Sequence, residues 1–366
     1  MLFLLFILSI YFATILVLIY GFTKVKNYDA IGLKPKTTFT IVVPFRNEAE
    51  NLPLLLESIS KMNYPTDLFE VILVDDDSDC RFQILDSRFQ ISIIDNIRVS
   101  NSPKKDAITT AIPLVKTAWI ITTDADCLVP ENWLLTLDNY IQTHEVSMIA
   151  GAVTYECNNS FLHHFQQLDL TSLQGATIGS FGIGKAFMCN GANLAYTKSL
   201  FEALNGFEGN NTIASGDDVF LLQKAVRSRS FGTEKVHYLK SENTIISTKP
   251  VDNWKSLFYQ RVRWASKTTS YQSNFGKVLG LVVFTGNIGL WFVVYGLLLG
   301  IGNFYILLFL VIVKLLIDFV LIHKTNQFLK TKTHSFLLSS LLYPFFSVSV
   351  ALYTAFGKYE WKGRRF

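Results

Sequence analysis

The chain has 366 residues, half of them hydrophobic and 14 % aromatic. An ordinary soluble domain carries less apolar surface, so bilayer-length runs are the first thing to seek. The net charge of +4 is modest and forms no basic stripe, which excludes a nucleic-acid-binding role.

In chain order, residues 1–23 carry no charge and end at Lys24. The run lacks a basic start and a small-x-small cleavage site, so it reads as an uncleaved anchor and not a signal peptide. From about Lys34 to Lys277 the composition turns mixed and reads as an α/β domain. Phe39-Thr40-Ile41-Val42-Val43 predicts a buried strand, and Asn47 with Glu50 predicts a capping box for a helix faced by Leu52, Leu55, Leu56 and Ile59. Further strands are predicted at Glu70–Val74, Ile91–Ile94, Trp119–Thr123 and Met148–Val153. Strands alternating with helices imply a parallel sheet with both faces covered, and ligands on such sheets bind at the carboxyl ends of the strands.

Acids stand at those ends. Asp75-Asp76-Asp77 follows one strand and is either a solvated turn or an acceptor for a nucleotide's base and ribose. Asp124 and Asp126 follow another, with one residue between them. Two carboxylates so spaced can face one divalent cation, which a departing diphosphate needs. Gly216-Asp217-Asp218 precedes an apolar helix and is either a favourable N-terminus or the seat of a general base. Gln260-Arg261-Val262-Arg263-Trp264 is either an amphipathic headgroup helix or a leaving-group site.

His163-His164 sits in an expected interfacial helix, where adjacent histidines face different sides and make no ligand pair. Gly179, Gly182 and Gly184 read as a mobile loop over an acceptor. Uncharged runs resume at Val278–Val313, breaking at Gly300-Ile301-Gly302-Asn303 into helices of about 278–299 and 304–323. Within the second helix Lys314 and Asp318 are four apart, and an i,i+4 pair lowers the insertion cost. A last run spans Ser335–Gly357, where Pro344 is expected to break it into a re-entrant or interfacial hairpin that keeps the basic tail cytosolic. The four cysteines lack metal-ligand spacing and read as free thiols.

The order Val43-Pro44-Phe45-Arg46-Asn47-Glu48, Val74-Asp75-Asp76-Asp77-Ser78, Asp124-Ala125-Asp126, Gly216-Asp217-Asp218 and Gln260-Arg261-Val262-Arg263-Trp264 resembles family 2 glycosyltransferases of the GT-A fold. Each motif is weak alone; five in this order are specific. Asn190-Gly191-Ala192-Asn193 is similar to the family's acceptor-side segment, and Trp361-Lys362-Gly363-Arg364 to its C-terminal motif. The resemblance implies a Rossmann-like mixed sheet with one N-terminal and two to three C-terminal membrane helices. The catalytic domain would span 34–250 and an interfacial helix 251–277. Pro44, Glu48, Asp75, Asp76, Lys105 and Asp124 would bind the nucleotide sugar. Asp126, with Asp124, would hold Mg²⁺ or Mn²⁺, and Asp218, beside Asp217, would be the base. Gln260 and Arg263 would bind the diphosphate, and Asn190, Gly191, Asn193 and Trp264 the acceptor. Two departures stand out: Asp77 occupies a position where many members have glycine, and Pro103-Lys104 replaces small residues before the lysine.

The implied function is inverting transfer from a nucleotide-diphospho-sugar, a UDP-sugar for preference, to a lipid or glycan acceptor at a bacterial inner membrane. A processive polysaccharide synthase is the alternative enzyme, and a non-catalytic nucleotide-sugar-binding membrane protein the alternative of another class.

Overall fold

The computed structural model describes residues 2–80, 87–210, 213, 215–356, 360–361 and 364–365. The chain opens with α1 (Leu2–Lys24), β1 (Phe39–Phe45), α2 (Leu52–Ser60), β2 (Phe69–Asp75), β3 (Gln90–Asp95), α3 (Pro103–Ala111) and β4 (Trp119–Thr122). It continues with β5 (Cys127–Leu128), α4 (Trp133–Thr143), β6 (Met148–Ala150), β7 (Val153–Tyr155), α5 (Phe161–Gly182), β8 (Leu194–Thr197), α6 (Lys198–Ala203) and α7 (Asp217–Arg227). The last elements are β9 (Val236–Tyr238), β10 (Ile246–Thr248), α8 (Trp254–Ser266), α9 (Asn274–Leu299), α10 (Phe304–Leu329) and α11 (Phe336–Phe356). Of the C-terminal Trp361-Lys362-Gly363-Arg364 motif, Lys362 and Gly363 lie outside the described residues.

These elements form two units, each with its own core. The α/β unit, Lys26–Glu156 with Ala186–Lys249, holds a seven-stranded sheet in the order β3-β2-β1-β4-β8-β6-β9. Strands β1, β2, β3 and β4 are parallel neighbours, whereas β8 runs antiparallel to both β4 and β6. β1 and β2 are apolar and almost wholly buried, as strands covered on both faces must be. The expected strand over 148–153 divides in two. β6 stays in the large sheet, and β7 joins β5 and β10 in a second sheet. The chain breaks at Gly151, where a Cβ would fall 2.4 Å from the Asn193 amide. The expected capping box does not form either. Asn47 donates to Asp79 and accepts from its amide, and the residue before α2 is Asn51. A left-handed Asn47, φ 55°, turns the side chain away from the helix.

The helical unit comprises Met1–Val25, Cys157–Lys185 and Pro250–Phe366. Four of its helices, α1, α9, α10 and most of α11, are long and apolar enough to cross a membrane. The α9–α10 turn uses left-handed Gly300 and Gly302, and α10 runs on to Leu329, past the expected end near 323. Lys314 and Asp318 pair at 2.7 Å, and Tyr11 of α1 donates to the same carboxylate at 2.7 Å. Pro344 does not break the last segment, which is one continuous helix. The ring of Phe346 packs on Phe165 and Trp254, and Tyr353 on Phe258, so α11 runs along α5 and α8.

Gly179 and Gly182 belong to the last turns of α5 and not to a loop. They let α1 approach backbone to backbone: a Cβ on Gly182 would sit 1.8 Å from Gly21 O, and one on Gly179 2.4 Å from Leu18 O. Small residues at a helix crossing are what close approach in a bilayer requires. Gly182→Val is therefore expected to destabilise the chain by about 1–3 kcal/mol, as overpacking does. Thermal unfolding in detergent checks this, with Gly32→Ala, at a position open to solvent space, as the silent control.

Candidate active site

The C-terminal ends of β2, β1 and β4 lie side by side, so residues that follow them share one rim of the sheet. β2 ends at Asp75 and is followed by Asp76, both buried. Asp75 accepts from the Ser78 amide at 3.0 Å and hydroxyl at 2.6 Å. Asp76 accepts from Asn96 at 2.7 Å and from Arg98 at 3.2 Å. Between them and Ser78, Asp77 is left-handed at φ 66°, which explains why glycine suits that position. Near the end of β1, Pro44 is half-buried, and beyond the strand Glu48 accepts from Asn51 at 2.6 Å.

After β4 come Asp124 and Asp126, both half-buried. The Asp124 carboxylate meets the Lys104 ammonium at 2.6 Å, and Lys104 also reaches Asp217 at 3.4 Å. Asp217 and Asp218 open α7 behind left-handed Gly216, where a helix N-terminus favours negative charge. Asp218 accepts from the Gly191 amide at 3.0 Å. Burial alone would push the Lys104 ammonium down, but Asp124 and then Asp217 outweigh it and hold the group well above its ordinary range. The cluster leaves no room at Gly191. A Cβ there would lie 2.9 Å from Asp217 Oδ2 and 3.2 Å from Lys104 Nζ.

Asp126 opens onto a shallow cleft with Asn51, Cys127, Glu156, Thr248 and Lys249. The Cys127 thiol is pushed up by burial, then by Asp124 and Asp126, so both carboxylates act on it. These two aspartates offer hard oxygen donors of the kind Mg²⁺ and Mn²⁺ take, and Asp124 already holds a cation, the ammonium. Among the described residues no three His, Cys, Asp or Glu side chains form a metal cage. That fits an ion bound by one or two carboxylates together with substrate phosphates.

Two residues named from the sequence sit beneath this surface. Asn193 is buried, accepting from Trp133 and donating to Ala152 O at 2.8 Å and Thr244 O at 2.7 Å. Lys105 is 1 % exposed and donates to Asn210 O at 2.6 Å and Ile213 O at 2.9 Å, tying down the loop before Asp217. The lysine at the rim is Lys104, which sequence reasoning passed over. Adjacent helix residues point about 100° apart, so only one of the two can face the acids. Ile108 and Ile112, three and seven positions after Lys105, mark its side as the buried one and were the available signal. Asn190 accepts from the Ala192 amide at 3.0 Å and shapes the turn that presents Gly191. Gln260, Arg263 and Trp264 lie on α8 of the helical unit, each half-buried.

Residues 40–204 match the family described as glycosyl transferase family 2. Among curated proteins, the glycosyltransferase AglE of Haloferax volcanii is 24 % identical over 190 residues, 51 % of this chain and 60 % of AglE. The match thus spans about three fifths of that relative's length. Among solved structures, the mannosyltransferase PcManGT of Pyrobaculum calidifontis, in complex with GDP-Man and Mn²⁺, superposes with a TM-score of 0.59 at 14 % identity. That likeness covers 96 % of this chain and 98 % of PcManGT, and it shows the shared fold.

The two lysines should separate by experiment. Lys105→Met orphans two buried carbonyls and is expected to cost about 1–3 kcal/mol of stability. Lys104→Met, at a partly exposed ion pair, should cost at most about 1 kcal/mol. Chemical denaturation of the two variants checks the difference.

Proposed function

We propose that the chain, whose residues 40–204 match glycosyl transferase family 2, is a glycosyltransferase of the GT-A fold that performs inverting transfer of a sugar from a nucleoside-diphosphate donor to a lipid or lipid-linked acceptor. The observation that carries this reading is the meeting of Asp124, Asp217 and Asp218 around Lys104 and Gly191. Acids from two distant stretches of chain converge at one sheet rim, beside the Asp75-Asp76 turn suited to base and ribose.

In the reaction, an acceptor hydroxyl oxygen attacks the anomeric carbon from the face opposite the diphosphate. Asp218 takes the hydroxyl proton as the new bond forms, and the old bond's electron pair leaves on the nucleotide. Mg²⁺ or Mn²⁺, held by Asp126 and Asp124, supplies positive charge to the diphosphate when bound. With donor present, Lys104 exchanges Asp124 for a phosphate oxygen, since an ammonium is a mobile point charge. Gln260 and Arg263 act on the diphosphate and Trp264 on the acceptor, roles that rest on the sequence motif alone. The motif set is read for a UDP-sugar, whereas PcManGT was solved with GDP-Man, so both bases belong in any test.

Among the described residues, four helices long and apolar enough to cross a membrane support action there. Lysines 24, 26, 324, 330 and 332 near helix ends support a catalytic unit on the cytoplasmic side of a bacterial inner membrane. The hairpin expected to return the basic tail to that side does not form, since α11 is one continuous helix.

A thermal-shift screen of nucleotide sugars with Mn²⁺ tests the assignment. Asp126→Asn should abolish the metal-dependent shift. Asp218→Asn should keep the shift and stop turnover, and undiminished turnover in that variant refutes the base.

A further inference from the structure

Within Gln260-Arg261-Val262-Arg263-Trp264, Arg261 has no role in the motif reading, yet its side chain is the most buried of the motif's polar groups, 6 % exposed. Its Nε donates to Asp169 of α5, whose side chain is 5 % exposed, and its Nη1 donates to Gln260 Oε1. Its guanidinium carbon lies 4.2 Å from the centre of the Trp264 ring. One planar group thus touches Asp169 and two of the motif's side chains.

Other contacts along α5 fall into line with this pair. Gln166 clamps the Val251 backbone, donating to its carbonyl at 2.8 Å and accepting from its amide at 3.0 Å. Phe165 packs on Trp254 with ring centres 5.1 Å apart, and His163 lies 3.5 Å from Asp252. Positions 163, 166 and 169 lie on one row of α5, three apart; the first two meet Asp252 and Val251 just before α8, and the third meets Arg261 within it.

We propose that α5 acts as a ruler for α8, and that Asp169, through Arg261, is the positioning residue that sets Gln260 and Trp264. This rests on the reading of Gln260, Arg263 and Trp264 given above as the motif that acts on donor and acceptor. Only arginine serves here. Its fixed fork bonds Asp169 and Gln260 while its flat face stacks on an indole. The carboxylate in turn keeps a buried cation from standing uncompensated.

The test uses the full chain in lipid nanodiscs, with GDP-mannose and UDP-N-acetylglucosamine plus Mn²⁺ as probes, and hydrogen exchange over residues 254–266 as a readout independent of turnover. Asp169→Asn is expected to speed exchange over 260–266 and to lower turnover about tenfold or more. Because a lone buried charge can unfold the bundle, Asp169→Asn/Arg261→Gln is the second variant: both charges leave together, and melting should stay near that of the parent. Positioning predicts fast exchange and low turnover in the double variant despite the recovered melting. Parental exchange and turnover there overturn the proposal, leaving the pair a packing feature. Arg263→Ala and Trp264→Ala distinguish the two readings. If these are fully active, the motif's role in transfer fails; if they are inactive while the double variant works, only the ruler fails.

Discussion

Mutual repulsion is the constraint around which the catalytic rim is built. Asp124 and Asp217 come from separate stretches of the α/β unit, and both meet Lys104. Carboxylates brought together out of full solvent need a compensating cation. Lys104 supplies it in the free protein, and a helix N-terminus carrying Asp217 and Asp218 adds its dipole. In the proposed reaction such a site would be prepared for exchange: a donor arriving with diphosphate and metal would bring both signs of charge, and the lysine would follow the phosphate while the acids took the ion.

Beneath that rim, buried polar side chains bond to backbone. Asn193 spends its amide on Trp133, Ala152 and Thr244, and Lys105 closes two carbonyls of the loop that leads to Asp217. These groups do not meet substrate in this reading. They fix the backbone of Gly191 and Asp217, and the short reach to Lys104 depends on that backbone. The absence of a side chain at Gly191 is part of the same geometry, since a single methyl would enter the acid cluster.

The helical unit solves a different problem, the burial of polar side chains among apolar helices. Gln166, Asp169 and Thr171 of α5 are buried, and each finds a partner on a neighbouring segment: Val251, Arg261 and Asn326. A helix with that many internal hydrogen bonds specifies its neighbours' register far more sharply than leucine packing does. On its other side, glycines admit α1 to backbone distance. Register from polar pairs and proximity from glycines together account for why α5 groups with the helical unit although it is flanked by strands of the α/β unit.

The sequence by itself determined what is periodic or local. Strands β1 to β4 follow from runs of branched and aromatic residues, and the apolar helices from length and lack of charge. The strand-end acids and their family resemblance follow from order along the chain. Only the tertiary structure decided matters that depend on which residue faces which neighbour. It turned Asn47 away from its helix, divided 148–153 between two sheets at Gly151, placed Gly179 and Gly182 inside α5, and carried α11 through Pro344. It also chose Lys104 over Lys105 for the rim and Asp169 as the partner of Arg261. In each case the deciding contact joins segments far apart in the chain, and local propensity holds no information about a partner it cannot reach.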